Sequence, residues 1–126
     1  MGLIYGMLKL TNPKRPDIQP VEVEALADTG SVYLVIPETI RAQLELEVSS
    51  SKEVTLADRN RHLIPYVGPV EVRFKNRNAF VGALVMGNQA LLGAIPMEDM
   101  DLVLSPLHRR VDINPDHPNY AHGLAM

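Results

Sequence analysis

Residues 21–36 read VEVEALADTGSVYLVI, two apolar segments separated by the polar triplet Asp28-Thr29-Gly30. The alternation of Val and Glu before Ala-Leu-Ala predicts a strand that starts half exposed and ends buried. The β-branched and aromatic residues at 32–36 predict a second strand. A carboxylate between two segments that favour burial is unusual, because burying an unpaired charge costs about several kcal/mol. Asp28 is therefore the first candidate functional residue.

Short apolar runs separated by polar turns continue on both sides of this stretch. They predict strands at 2–11, 21–27, 32–36, 53–57, 61–66 with a continuation through 67–74, 79–86, 102–104 and 107–113. Short helices are predicted at 36–44 and 96–100, and polar turns or loops at 12–20, 28–31, 49–51, 58–60 and 76–78. This pattern predicts a mostly β fold, a closed barrel or sandwich with one or two short helices. The order strand, turn, apolar strand, helix occurs at 21–44 and faintly again at 79–100.

Length and composition limit the alternatives. The 126 residues suit one domain, which we assign to 1–113, with a polar C-terminal tail at 114–126. The net charge of −3 argues against a nucleic-acid partner, which usually requires a basic surface. His117 and His122 lie five residues apart in a segment interrupted by proline, which disfavours a helical metal site.

Cysteine content and hydrophobicity bear on location. The chain has no cysteine, which excludes disulfides, thiolate metal sites and a cysteine nucleophile, and suits a reducing compartment. No apolar run approaches the roughly 18 residues that a membrane span needs. The first ten residues lack a basic leader and a small-residue cleavage site, so we expect a strand there rather than a signal peptide. These features predict a cytoplasmic protein without a membrane partner.

Three segments together resemble the retropepsin-like (clan AA) aspartic peptidases, particularly the small single-domain members of bacteria and archaea. They are Asp28-Thr29-Gly30-Ser31 after an apolar run, a polar-tipped hairpin at 56–61, and Leu91-Leu92-Gly93 before a short helix. The resemblance covers roughly residues 3 to 113. It implies a β-barrel of the acid-protease type that hydrolyses peptide bonds. Since the chain has one such triplet and the chemistry needs two carboxylates, it also implies a homodimer.

The resemblance assigns a role to each of these residues. Asp28 and its symmetry mate would form the catalytic dyad and share one proton, because two carboxylates that close cannot both ionise. The charged partner would activate a water while the protonated one polarises the scissile carbonyl, so neither a metal nor another cofactor is required. Three further groups would support the dyad or cover the substrate. In the catalytic loop, Thr29 would bond the partner chain, Gly30 would allow the turn and Ser31 would bond the outer carboxylate oxygen. The segment that passes behind this loop would consist of Leu91, Leu92 and Gly93. The flap over a bound peptide would consist of Ala57, Asp58, Arg59 and Asn60.

Two departures from the family pattern keep alternatives open. The hairpin tip Asp58-Arg59-Asn60 has no glycine, and the residues after Gly93 are Ala94-Ile95-Pro96 rather than a polar residue. A catalytically silent dimer of the same fold, acting as a peptide- or protein-binding module, is therefore the second hypothesis. A small β protein unrelated to peptidases, with an ordinary Asp-Gly turn, is the third.

Overall fold

The structure, a computed structural model, describes residues 3–125. Met1 and Gly2 of the predicted domain, the latter also in the predicted first strand, lie outside the described residues, as does Met126 of the predicted tail. It is mostly β, with two short helices, α1 (Glu38–Gln43) and α2 (Ala94–Asp99). The strands are β1 (Tyr5–Thr11), β2 (Val21–Ala27), β3 (Leu34–Ile36), β4 (Val48–Thr55), β5 (Arg61–Phe74), β6 (Arg77–Val85), β7 (Leu91–Leu92), β8 (Leu102–Ser105) and β9 (Arg110–Ile113). The predicted fold class is confirmed.

Six of the strands close into a barrel. They follow one another in the order β5-β6-β3-β7-β2-β1, and β1 pairs back with β5 through Lys9, Leu10 and Thr11. The long strand β5 continues beyond the barrel and forms a hairpin with β4, while β9 and β8 extend the sheet beyond β1. The barrel thus has no free edge of its own, and the hairpin projects from it.

The two predicted strand-strand-helix units interlock. β2 of the first unit runs parallel to β7 of the second, and β6 of the second runs parallel to β3 of the first. The two short strands meet antiparallel at the centre, where Val35 pairs with Leu91. The loop after β2, which contains Asp28, therefore corresponds to the loop after β6.

The barrel interior is filled by the apolar residues that the alternation selects. On β5, Val70, Val72 and Phe74 are buried while Arg73 is exposed, as the period of two predicts. Ile40 of α1 and Met97 of α2 turn inward over the barrel. Residues fully buried in this core include Leu8, Leu10, Leu34, Leu44, Val67 and Leu92.

Several predicted boundaries were wrong, among them that of β3, which begins at Leu34 rather than at residue 32. The predicted loop at 49–51 belongs to β4, where Ser50 and Ser51 pair with β5. The predicted turn at 76–78 is shorter, since Arg77 pairs with Phe74 and begins β6. α2 begins at Ala94 rather than at residue 96, and the last strand covers only Arg110–Ile113.

The C-terminal segment after β9 lies partly against the body of the protein. Asn114 and His117 bond Asp101, and the Arg77 guanidinium donates to the His117 carbonyl. No helix in the part of the chain described is long and apolar enough to cross a membrane.

Candidate functional site

Asp28 lies immediately after β2, at the point where β2 and β7 run side by side. Its backbone N–H donates to the Leu92 carbonyl at 3.0 Å, and the Leu26 N–H donates to the Ala90 carbonyl at 2.9 Å. The predicted contact between the two segments is therefore present: residues 90–92 support the start of the Asp28 loop. Both the Asp28 and Thr29 side chains are exposed in the single chain.

A compact turn holds the Asp28 carboxylate. Its Oδ1 accepts the Gly30 N–H at 2.9 Å, and its carbonyl accepts the Ser31 N–H at 3.0 Å. Such Asx turns are typical of aspartate before glycine. The Ser31 hydroxyl donates to the Tyr33 carbonyl at 3.3 Å, so its hydrogen bond fixes the loop backbone rather than the outer carboxylate oxygen.

Gly93 allows the second unit to approach this loop closely. A Cβ at Gly93 would lie 2.3 Å from the Tyr33 carbonyl oxygen and 2.7 Å from that of Ser31. The next two residues bond the same backbone, since the Ala94 N–H donates to Ser31 and the Ile95 N–H to Val32. The loop is thus held from behind by Leu92, Gly93 and the first turn of α2.

Apolar side chains are exposed beside the Asp28 loop. Val32 and Ile95, joined by that hydrogen bond, are 51% and 43% exposed. Leu3 is also exposed and precedes Ile4, whose carbonyl accepts the Ala27 N–H at 2.8 Å. Leu3, Val32 and Ile95 each adjoin a residue that bonds the Asp28 loop or its flanks, and we call these three exposed side chains the loop-side apolar patch.

The tip of the β4–β5 hairpin is a closed polar turn. The Leu56 N–H donates to the Asn60 carbonyl at 3.1 Å, and Arg59 adopts a left-handed conformation with φ of 66°. Asp58 accepts the Asn60 N–H at 2.9 Å and contacts the His62 ring at 3.1 Å. These bonds, that from Asn60 first, lower the pKa of the Asp58 carboxyl below its ordinary value. Ala57 and the other tip residues are exposed.

Below the tip, the hairpin contacts the Asp28 loop through a cation held by aromatic rings. The Lys52 Nζ lies 4.5 Å from the centre of the Tyr66 ring and 5.4 Å from that of Tyr33. The two rings meet edge to face at 5.8 Å. Tyr66 itself lies over Gly82, where a Cβ would be 2.0 Å from the ring.

Sequence reasoning missed this cluster, because the sequence Lys52-Glu53-Val54-Thr55 does not mark Lys52 as an inward-facing residue. In the structure, half-buried Lys52 and Val54 alternate with exposed Glu53 and Thr55, so the first two lie on the inward face of the hairpin. The sequence also does not show which residues that face contacts. The same holds for Asp101, whose bonds come from three separate positions in the tail.

Asp101 organises a second polar cluster, at the end of α2. Its carboxylate accepts the His122 backbone N–H at 3.0 Å, the Asn114 amide at 3.2 Å and the His117 ring nitrogen at 2.7 Å. The bond from His122, then those from Asn114 and His117, lower its pKa to about 2 although desolvation opposes them. The His117 and His122 rings stack at 4.5 Å. No group of three or more metal-ligating side chains occurs within residues 3–125.

Three cavities among the described residues are lined by residues other than Asp28. They have volumes of about 380, 310 and 370 Å³ and lie around Asn12 and Glu45, around Tyr66 and Gly82, and around Ile18 and Phe80. The loop instead faces outward beside the hairpin.

A comparison with protein-family models and with curated proteins found no match.

Proposed function

We propose that the protein is a homodimeric aspartic endopeptidase in which two copies of Asp28 activate a water molecule. The observation that carries the proposal is the Asp28 turn itself, held by Gly30 and supported from behind by Leu92. A carboxylate on a rigid, preorganised loop suits general acid–base catalysis, since its position costs little reorganisation during reaction.

The interlocked units explain why a second chain is required. The loop after β6, which corresponds to the Asp28 loop, consists of Met86, Gly87, Asn88 and Gln89 before Ala90. It contains no carboxylate, so one chain supplies one acid only. A twofold axis near the loop would supply the other, because a symmetric interface brings the same residue from both copies together.

The loop-side apolar patch supports this arrangement. Leu3, Val32 and Ile95 are all more than two-fifths exposed, and burying such side chains against a second copy removes apolar surface from water. The hairpin would then lie over the shared cleft and pair with an extended peptide. The absence of cysteine fits a reducing compartment, and we place the protein in the cytoplasm.

One chemical sequence fits these groups. The dyad holds one proton between two carboxylates; the ionised one takes a proton from water as it attacks the peptide carbonyl. The protonated one donates to the carbonyl oxygen, and proton return to the amine releases the products. Water is the only reactant besides the peptide, and no covalent bond forms between the enzyme and the substrate.

A mixing experiment tests whether the site is shared. Asp28→Asn should abolish cleavage of a peptide library while leaving the dimer intact. After subunit exchange in an equal mixture of wild type and variant, a shared dyad leaves about a quarter of the activity, whereas independent sites leave about half. Asp116→Asn, an exposed carboxylate of the tail, is the control and should leave activity unchanged.

A catalytically silent binding module is the second candidate. It is favoured by the hydrogen-bonded, glycine-free hairpin tip, which would resist the bending needed to close over a substrate. Peptide binding that is equal in wild type and Asp28→Asn, with no cleavage and no heat protection by a pepstatin-like inhibitor, would favour this function over the endopeptidase.

A further inference from the structure

Lys52 occupies the inward face of the β4–β5 hairpin, the face that is turned toward the body of the protein. It is half-buried, as are Val54 on the same strand and Ile64, its partner on β5. The neighbouring Glu53 faces the other way and lies 3.5 Å from Arg61, also on the outer face. The position of Lys52 is therefore set by the strand register.

The Lys52 ammonium is held by two rings and is not neutralised. Its Nζ lies within 6 Å of both the Tyr33 and Tyr66 ring centres, a distance at which cation–π attraction operates. Within residues 3–125, Lys52 forms no ion pair with a carboxylate; the ion pairs there are formed by other basic side chains. Because this half-buried ammonium contacts aromatic rings and no carboxylate among the described residues, it can still bind a carboxylate of a ligand.

Tyr33 connects this cation to the Asp28 loop. The Tyr33 carbonyl accepts the Ser31 hydroxyl and lies against Gly93, so the tyrosine backbone belongs to the same rigid unit as Asp28. Its ring extends from that unit to Lys52. A peptide passing between the hairpin and the loop would therefore run beside the ammonium.

We propose that Lys52 is a specificity-determining residue that selects peptides with an Asp or Glu side chain close to the bond cleaved. This inference rests on the proposed function and adds a substrate class to it. The rings restrict the ammonium before substrate arrives, which lowers the entropic cost of forming the ion pair. The gain should be larger than at an exposed pair, since peptide and hairpin together exclude water.

The experiment compares peptides that differ at one position, occupied by Glu, Gln or Lys and moved in turn along each side of the scissile bond. Wild type should prefer Glu over Gln by about tenfold in kcat/KM at one position. Lys52→Met should remove this preference, and Lys52→Glu should reverse it in favour of Lys. Arg61→Met, which removes a positive charge from the outer face of the same hairpin, should retain it.

Binding to the Asp28→Asn dimer, measured by fluorescence polarisation with the same peptides, separates this inference from the proposed activity. Lys52-dependent preference for Glu in binding, without any cleavage by wild type, supports the selection of acidic peptides by Lys52 and contradicts the endopeptidase. Cleavage without a preference for acidic peptides, or a preference unchanged in Lys52→Glu, overturns the inference and leaves the endopeptidase standing. Absence of both binding and cleavage overturns both.

Discussion

At the scale of single residues, the site depends on two positions with opposite requirements. Position 28 requires a side chain that accepts a hydrogen bond from the Gly30 N–H and remains accessible. Gly93 needs the absence of a side chain, because carbonyl oxygens of Tyr33 and Ser31 occupy the space that a Cβ would take. The carboxylate is thus held in place partly by a residue 65 positions away that contributes no functional group.

Gly93→Ala tests this packing. The added methyl would lie 2.3 Å from backbone, which cannot rotate away, so we expect a loss of about 3 kcal/mol in unfolding free energy. Gly123→Ala, where nothing lies within 4 Å, should change stability by less than about 0.5 kcal/mol. Urea denaturation measures both, and equal stabilities of the two variants would contradict the close approach.

At the scale of elements, the C-terminal segment is tied to the end of α2 through one carboxylate. Asp101 accepts bonds from Asn114, His117 and His122, and Arg77 at the start of β6 donates to the His117 carbonyl. Residues 114–122 are consequently bound to two elements that are distant in sequence. This anchoring is a feature of tertiary structure, since the segment itself is polar and contains little apolar surface.

The pKa of Asp101 makes this anchoring sensitive to acid. Because the pKa is lowered from 3.8 to about 2 in the folded protein, its stabilisation is present above about pH 4 and is lost as the pH falls through about 2. Asp101→Asn should remove this component and increase hydrogen exchange at 114–122 at neutral pH. Asp99→Asn, at the end of the same helix, is the control. Identical melting profiles of wild type and Asp101→Asn between about pH 2 and 6 would contradict the prediction.

At the scale of the whole molecule, the proposed activity depends on association through the loop-side apolar patch. The barrel is closed at the Asp28 loop, so we expect side chains rather than a strand edge to provide the contact there. Val32 and Ile95 are held next to each other by a backbone hydrogen bond, which gives the patch a defined shape.

Ile95→Lys tests the patch as a dimer contact. Placing an unpaired charge in an apolar interface is costly, so the variant should sediment as a monomer at concentrations where wild type is a dimer, and it should lose cleavage. Phe80→Lys replaces another exposed apolar residue, opposite Glu71 on the outer barrel surface, and should remain dimeric. A wild-type protein that sediments as a monomer at all concentrations would contradict the shared site.

The sequence by itself determined the mostly β class, the repeat of strand, strand and helix, and the inward residues of β5, because alternation and apolar runs are local properties of the chain. It also suggested Asp28 as a candidate, from a carboxylate between two apolar segments. The structure places Asp28 at the surface, and its catalytic role stays a prediction. Only the tertiary structure decided that Ser50 and Ser51 lie in a strand, that Arg77 is buried, and that Lys52 meets Tyr33 and Tyr66. Each of these depends on pairing or packing between segments far apart in sequence, and no local pattern specifies which distant residue will be the neighbour.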